Sequence, residues 1–321
     1  EQLVLAHWQA AGQLGERFGK AQQGHLPVKP RPAIIRCQPV RHRFKRGDRS
    51  GDPGKAVMGA LVAGGDLRHC RPGKVAIAAR RAQHFAQVDA RQRVFQQKKL
   101  VGKVDGLIVI SLPPTEAEFN QILGLGIPVS LLGVPDSRCS CVSIDDVKGA
   151  EIAAQHLVDM GHRDIGIIVG RSEMSFNFKV ASQRKEGFLK VLTDNGIEFN
   201  PVNEIIADFD AHTAELAMDE FLTRKKLPTA IFCQSDEMAF GVYRSLAKKG
   251  MRVPEDISII GFDNHEFSAV LGLTTIAQPV QFLGQLAASQ IMAKIEKPET
   301  QSAQMKVPTS LIERSSVARI G

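Results

Sequence analysis

From Val104 onward, short runs of almost wholly apolar residues alternate with longer stretches whose apolar positions recur every three or four residues. The runs at 107–110, 129–132, 165–169, 230–233 and 257–260 predict buried strands, with a further strand near Ile205. The amphipathic stretches predict helices over 147–160, 182–194, 213–224, 236–248 and 280–294. A shorter helix is expected after Pro113-Pro114, where Thr115-Glu116-Ala117-Glu118 has the form of a capping box. Gly161, Asn195-Gly196 and Gly250 stand where helices must stop, because a residue free to turn left-handed releases the chain toward the next strand.

Strands apolar on both faces, separated by amphipathic helices, imply an α/β fold with parallel, doubly wound sheets covered on both sides. The number of such units exceeds what one sheet ordinarily holds, so two lobes are expected. The first is assigned residues 90–161 with 284–321, the last helix and the segment 305–312 crossing back to complete it; the second is assigned 162–283. Residues 1–89 show no such alternation and form a separate region rich in Arg, Ala, Gln, Gly and Pro.

Charge sharpens that division. Residues 1–99 carry 20 Lys/Arg against 6 Asp/Glu, whereas residues 100–321 carry 21 against 28, so a strongly basic segment precedes a mildly acidic one. That arrangement suits a nucleic-acid-binding arm joined to a sensing domain, although charge alone carries no sequence specificity. Apolar residues make up 43% of the 321, enough for a substantial core. No apolar run is long enough to span a membrane and no secretory pattern opens the chain, which places it in the cytoplasm. Five cysteines without C-x-x-C spacing are expected to be reduced structural thiols. Cys139 and Cys141 form a lone C-x-C, and His156 and His162 straddle a helix end; neither pair has metal-site spacing, and neither a metal nor another cofactor is expected. Nucleophile elbows, phosphate loops and zinc-protease motifs are absent, so no enzymatic chemistry is indicated.

Val104-Asp105-Gly106-Leu107-Ile108-Val109 begins a series of ordered motifs that resembles the LacI/GalR regulators. The series continues through Gly126-Ile127-Pro128-Val129, Ser143-Ile144-Asp145-Asp146, Gly161-His162-Arg163-Asp164-Ile165 and Arg184 with Gly187-Phe188. It ends through Pro228-Thr229-Ala230-Ile231-Phe232, Ser235-Asp236-Glu237-Met238-Ala239, Val253-Pro254-Glu255-Asp256, Gly261-Phe262-Asp263-Asn264 and Gln278-Pro279. The resemblance implies a two-lobed core similar to the type I periplasmic binding proteins, closing on a small sugar or similar polar effector. It also implies a homodimer whose closure alters the grip of an N-terminal helix-turn-helix on operator DNA.

Arg184, near a helix start on the ligand side of the sheet, has a planar fork suited to adjacent hydroxyls. Asp263, just past a strand, is a matching acceptor. The resemblance adds Phe209 as a ring against an apolar ligand face, Ser235 as a weaker polar contact in a place where relatives carry asparagine, and Gln278 as a rim donor. Asp236 is expected to N-cap its helix, and Asp145 to serve as a cap or in a role between lobes. Gly133 occupies a place where some members have a carboxylate, so that contact is not carried over.

The resemblance fails over residues 1–89, where neither a helix-turn-helix nor a hinge helix is readable. Out-of-frame translation of this portion accounts for the lost pattern at a normal length; a divergent basic arm is the alternative. A transport receptor for sugars, and an effector core without DNA binding, are the competing functional readings.

Overall fold

The structure, a computed structural model, describes residues 75–79, 104–111, 113–171 and 179–321. The calls made for residues 1–74 and 80–89 therefore lie outside the described residues. The chain divides into two compact units, whose described parts are 75–79, 104–143 and 280–305 for the first, and 144–171, 179–279 and 306–321 for the second.

The first unit is built on β1 (Val75–Ala79), β2 (Gly106–Ile110), α1 (Glu116–Leu123), β3 (Val129–Leu132) and β4 (Ser140–Ile144). Strands β1 to β4 run in spatial order and pair in parallel. Thr115 and Glu118 form the reciprocal capping box that opens α1. Phe119 and Ile122 of α1 are buried against Leu107, Val109, Val129 and Leu131.

The second unit contains α2 (Asp146–Asp159), β5 (Ile165–Gly170), α3 (Val180–Asp194), β6 (Glu204–Ala207), α4 (Ala211–Phe221), β7 (Ala230–Cys233) and α5 (Asp236–Lys248). It continues with β8 (Ser258–Asp263), α6 (Glu266–Val270) and β9 (Thr274–Ala277). The chain then passes through α7 (Val280–Glu296) of the first unit and β10 (Gln304–Val307), which lies beside β4, and returns with β11 (Ser310–Ile312). The six-stranded sheet has the order β11-β9-β8-β7-β5-β6, parallel except for β11, which pairs antiparallel with β9.

The unbroken apolar strand text has a simple cause here. Successive strand side chains point to opposite faces, and both faces are covered. Ile165, Ile167 and Val169 of β5, with Phe232 of β7 and Ile260 and Phe262 of β8, pack under α2 and α3. Their alternates Ile168, Ile231, Cys233 and Ile259 pack under α4 and α5.

The helix pairs on both faces approach very closely. A Cβ on Gly187 of α3 would lie 2.2 Å from the Val147 carbonyl oxygen of α2. One on Gly241 of α5 would lie 2.2 Å from the Ala211 carbonyl oxygen of α4.

The observed boundary between units corrects the expected one. Helix α2, assigned from sequence to the first lobe, belongs to the second because Ala150, Ala153, Ala154 and Leu157 are part of its core. After β10, which joins the edge of the first sheet, the tail belongs to the second unit, since β11 extends the second sheet. Strands β4 and β9 and helix α6 were not anticipated as elements.

Gly241→Ala tests the helix packing. Helix propensity alone favours alanine by about 1 kcal/mol. A backbone carbonyl at 2.2 Å cannot rotate away, however, so the helices must part at a cost of about 1–3 kcal/mol. A lowered urea midpoint is expected; an unchanged or raised one would show that the two helices are not held in contact.

Candidate functional site

The candidate residues of the second unit collect at the C-terminal ends of its parallel strands, the position at which open α/β sheets take their ligands. Arg184, on the second turn of α3, is only 5% exposed. A guanidinium so deeply placed needs partners for its charge. Its Nε donates to Asp146 Oδ1 at 2.8 Å, Nη1 donates to the Gln234 carbonyl oxygen, and the group lies 3.6 Å over the Phe262 ring. Nη1 is also 3.7 Å from Asp263 Oδ1, close enough for attraction but too far for a hydrogen bond. Among the described residues both Nη2 hydrogens remain for a ligand.

Asp263 ends β8 with φ of 123° and Asn264 follows with 56°, backbone conformations that side-chain-bearing residues seldom adopt. Each costs on the order of 1–3 kcal/mol and persists only where surrounding structure enforces it. The enforcing group is Asp236. Its carboxylate is fully buried and accepts from the His265 N–H at 2.8 Å, the Ser268 hydroxyl at 2.6 Å and the Thr275 hydroxyl at 2.6 Å, tying down the turn after β8. Burial pushes the Asp236 carboxyl up, while these three donors pull it back.

The cap of α5 is Ser235, whose side chain accepts from the Met238 N–H at 3.2 Å. The expectation that Asp236 would cap this helix is corrected: as the first residue inside the helix it points instead into the sheet ends. Ser235 correspondingly engages its oxygen locally. Asp145 caps α2, accepting from the Lys148 N–H at 3.0 Å, and its other oxygen meets Lys306 at 3.1 Å.

Gln278 Nε2 donates to Asp263 Oδ1 at 2.5 Å. Surrounding protein pushes the Asp263 carboxyl up to about 7, with Arg184 pulling down and the Asp236 and Asp146 charges pushing further up. Even so, 37% of the side chain remains open to solvent, so the acid is crowded at its base and accessible at its edge. Phe209 has φ of 57° and turns its ring over Gly170, where any Cβ would collide with the ring. The structure thus joins Arg184, Asp263 and Gln278 in one contact set, places Phe209 at the end of the adjacent β5–β6 pair, and puts Ser235 beside Gln234.

Two residues of the cluster were missed from sequence. Asp146 was noted only as the last residue of the Ser143-Ile144-Asp145-Asp146 motif, yet it anchors Arg184. Gln234 is completely buried: its Oε1 accepts from the Gly170 N–H at 3.0 Å and its Nε2 donates to the Ala181 carbonyl at 2.8 Å, locking β5 to the start of α3. A glutamine between an apolar strand and a helix cap was the available signal.

Cys139, Cys141 and Cys233 are buried free thiols. Burial pushes Cys139 up to about 12 and Cys141 up to about 11, and also raises Cys233, so none is a ready nucleophile. His162 is likewise buried, its ring nitrogens 2.9 Å from the Thr229 hydroxyl and 3.1 Å from the Ala318 carbonyl. Among the described residues no group of three His, Cys, Asp or Glu side chains is placed to hold a metal, and no helix is long and apolar enough to cross a membrane.

Residues 154–317 match the periplasmic binding protein-like domain family. The chain is 32% identical over 223 residues to the probable HTH-type transcriptional repressor ExuR of Bacillus subtilis, covering 68% of this chain and 66% of that protein. It is also 32% identical over 220 residues to the HTH-type transcriptional repressor PurR of Pasteurella multocida, covering 67% and 65%. The match thus spans just under two thirds of the length of these relatives. Among solved structures, a LacI family regulator from Enterococcus faecium with bound ribose superposes with a TM-score of 0.64 at 29% identity, covering 71% of this chain and 86% of that one. A complex of the regulator CelR with cellobiose gives 0.63 at 28%, covering 72% and 71%. Ordered motifs, sheet topology and these likenesses agree, and the chain belongs to the LacI/GalR family through its periplasmic-binding-protein-like effector core.

Proposed function

We propose that the chain is the sensing part of a ligand-responsive, DNA-binding transcriptional repressor, and that the second unit's strand ends hold a small sugar or related polyol. The observation that carries this reading is the immobilised Arg184 guanidinium, which offers donors beside the accessible Asp263 acceptor and the Gln278 amide. Adjacent hydroxyls of a sugar need that combination: donors and an acceptor fixed a few ångströms apart, with an aromatic face such as Phe209 for the ring's C–H side. The structural neighbours with ribose and cellobiose bound support the ligand class, and the named repressors among the relatives support the regulatory role.

In this reading the protein acts in the cytoplasm as a homodimer, performs no catalysis and needs no cofactor. Its operator-binding element would fall in the N-terminal part, outside the described residues. Ser235 serves mainly as a helix cap, while Asp145 and Asp236 hold the elements that carry the site.

Thermal-shift titration of the full chain against neutral sugars, beginning with D-ribose and cellobiose, is the primary test. At least one should stabilise the wild type in proportion to the logarithm of its concentration. In Arg184→Lys the response should be lost, because an ammonium cannot reach Asp146 and the Gln234 carbonyl while presenting a planar fork. A full response in Arg184→Lys would remove Arg184 from the site.

The affinity should also depend on pH. Hydroxyl donation stabilises ionised Asp263, so a neutral ligand lowers the raised pKa and binding releases protons. Affinity for the sugar should therefore increase several-fold between pH 6 and 8 by calorimetry. Asp263→Asn should bind more weakly with a flat profile; a slope that survives this substitution would assign the titration elsewhere.

A further inference from the structure

The charge balance of the site selects among sugars. Resting on the sugar-binding reading above, we propose that this site accepts uncharged polyols and discriminates against acidic sugars, both uronates and sugar phosphates.

An arginine in a pocket ordinarily invites an anion, since carboxylates and phosphates dock on two parallel N–H groups. Two such edges exist on a guanidinium, and both are compromised here. On the side edge, Nε is given to Asp146 at 2.8 Å. On the end edge, Nη1 donates to the Gln234 carbonyl and has Asp263 Oδ1 at 3.7 Å. Stacking on Phe262 at 3.6 Å and near-complete burial keep the side chain from swinging to a new partner. Single N–H groups remain on Nη2, adequate for hydroxyl oxygens but not for paired docking of a carboxylate.

The surrounding charges point the same way. Arg184 faces two carboxylates, Asp146 from α2 and Asp263 from β8, so the cluster carries an excess negative charge when both are ionised. Asp236 of α5 adds a third acid behind Asp263. Three other cations near these strand and helix ends are engaged, while Lys179 stands exposed at the start of α3. Arg171 pairs with Asp208 at 2.7 Å, Lys306 pairs with Asp145 at 3.1 Å, and Arg314 donates to Asn264 Oδ1 and the Leu273 carbonyl. A ligand anion entering this cluster meets like charge at short range and partly desolvated, where repulsion is poorly screened. It therefore favours protonated Asp263, and its affinity must rise as pH falls through the range in which that acid titrates, opposite in sign to a neutral sugar.

Isothermal titration of the full chain with matched pairs tests this: D-glucose against D-glucuronate, D-galactose against D-galacturonate, and D-ribose against D-ribose 5-phosphate. In any pair that binds, the neutral member should bind at least about tenfold more tightly at pH 7.5, and the acidic member should improve toward pH 6. Asp263→Asn should close the gap from both sides, weakening the neutral sugar and strengthening the acidic one. An acidic member that binds as tightly as its neutral partner, with binding still lost in Arg184→Lys, would overturn the selectivity while leaving the sugar site intact. Failure of every pair to bind would overturn both.

Discussion

The arrangement of the second unit turns on one buried cation. Arg184 sits where water cannot solvate it, so its charge must be met by protein groups, and each of those groups fixes an element. Asp146 fixes the first turn of α2, the Gln234 carbonyl fixes the end of β7, and the Phe262 ring fixes β8. Gly187, one turn further along α3, lets α3 come close enough to α2 for the Asp146 carboxylate to reach the guanidinium. Removing any single partner would leave a buried charge or carbonyl uncompensated, a cost of several kcal/mol that a surface pair never incurs.

The polar cluster stands on a scaffold that is apolar for the opposite reason. Between α2 with α3 on one face and α4 with α5 on the other, the central strands β5 and β7 have no solvated side, and their interiors hold only side chains without hydrogen-bonding demands. Polar chemistry is therefore confined to the strand ends. There Gln234 and Asp236 occupy the single junction between β7 and α5, both fully buried and both with their polar atoms satisfied.

The same division explains what was legible in the sequence. Strand β7 was readable to the residue because two covered faces produce an uninterrupted apolar run, and β3 because a single Ser130 leaves its three apolar neighbours recognisable. Strand β9 was hidden by Thr274 and Thr275, which are buried but look polar; their hydroxyls accept from the Arg314 N–H and donate to Asp236. Strand β4 was masked by Ser140 and Cys141 in the same way. Arg184, Asp263 and Gln278 could be nominated because motif order carried them. Asp146 and Gln234 could not, since their role exists only where three elements meet. The unit boundary was misplaced because α2 has an apolar stripe that would suit either sheet; only its close approach to α3 decides. The one-residue displacement of the α5 cap has a similar origin: Ser235 and Asp236 are both good capping residues, and the three donors awaiting a carboxylate across the sheet end make the difference.

Asp236 and Asp263 also illustrate why one acid is committed to structure while its neighbour is left available for the proposed recognition. Both are raised by desolvation. Asp236 receives three short hydrogen bonds from donors fixed on α6, β9 and the turn between β8 and α6, so its anion is held by geometry that does not depend on a ligand. Asp263 has one donor in Gln278 and an arginine just beyond hydrogen-bonding distance, while Asp236 and Asp146 both repel its charge. Its anion is consequently under-satisfied, and the strained backbone that presents it keeps its exposed edge turned outward rather than relaxing toward further protein donors. In the proposed site a ligand hydroxyl would supply what that edge lacks, so its hydrogen bond would replace a deficit in the free protein instead of competing with an existing partner. That is the condition under which a single polar contact contributes strongly to binding, and it arises here from where three carboxylates and one guanidinium are forced to share the end of one sheet.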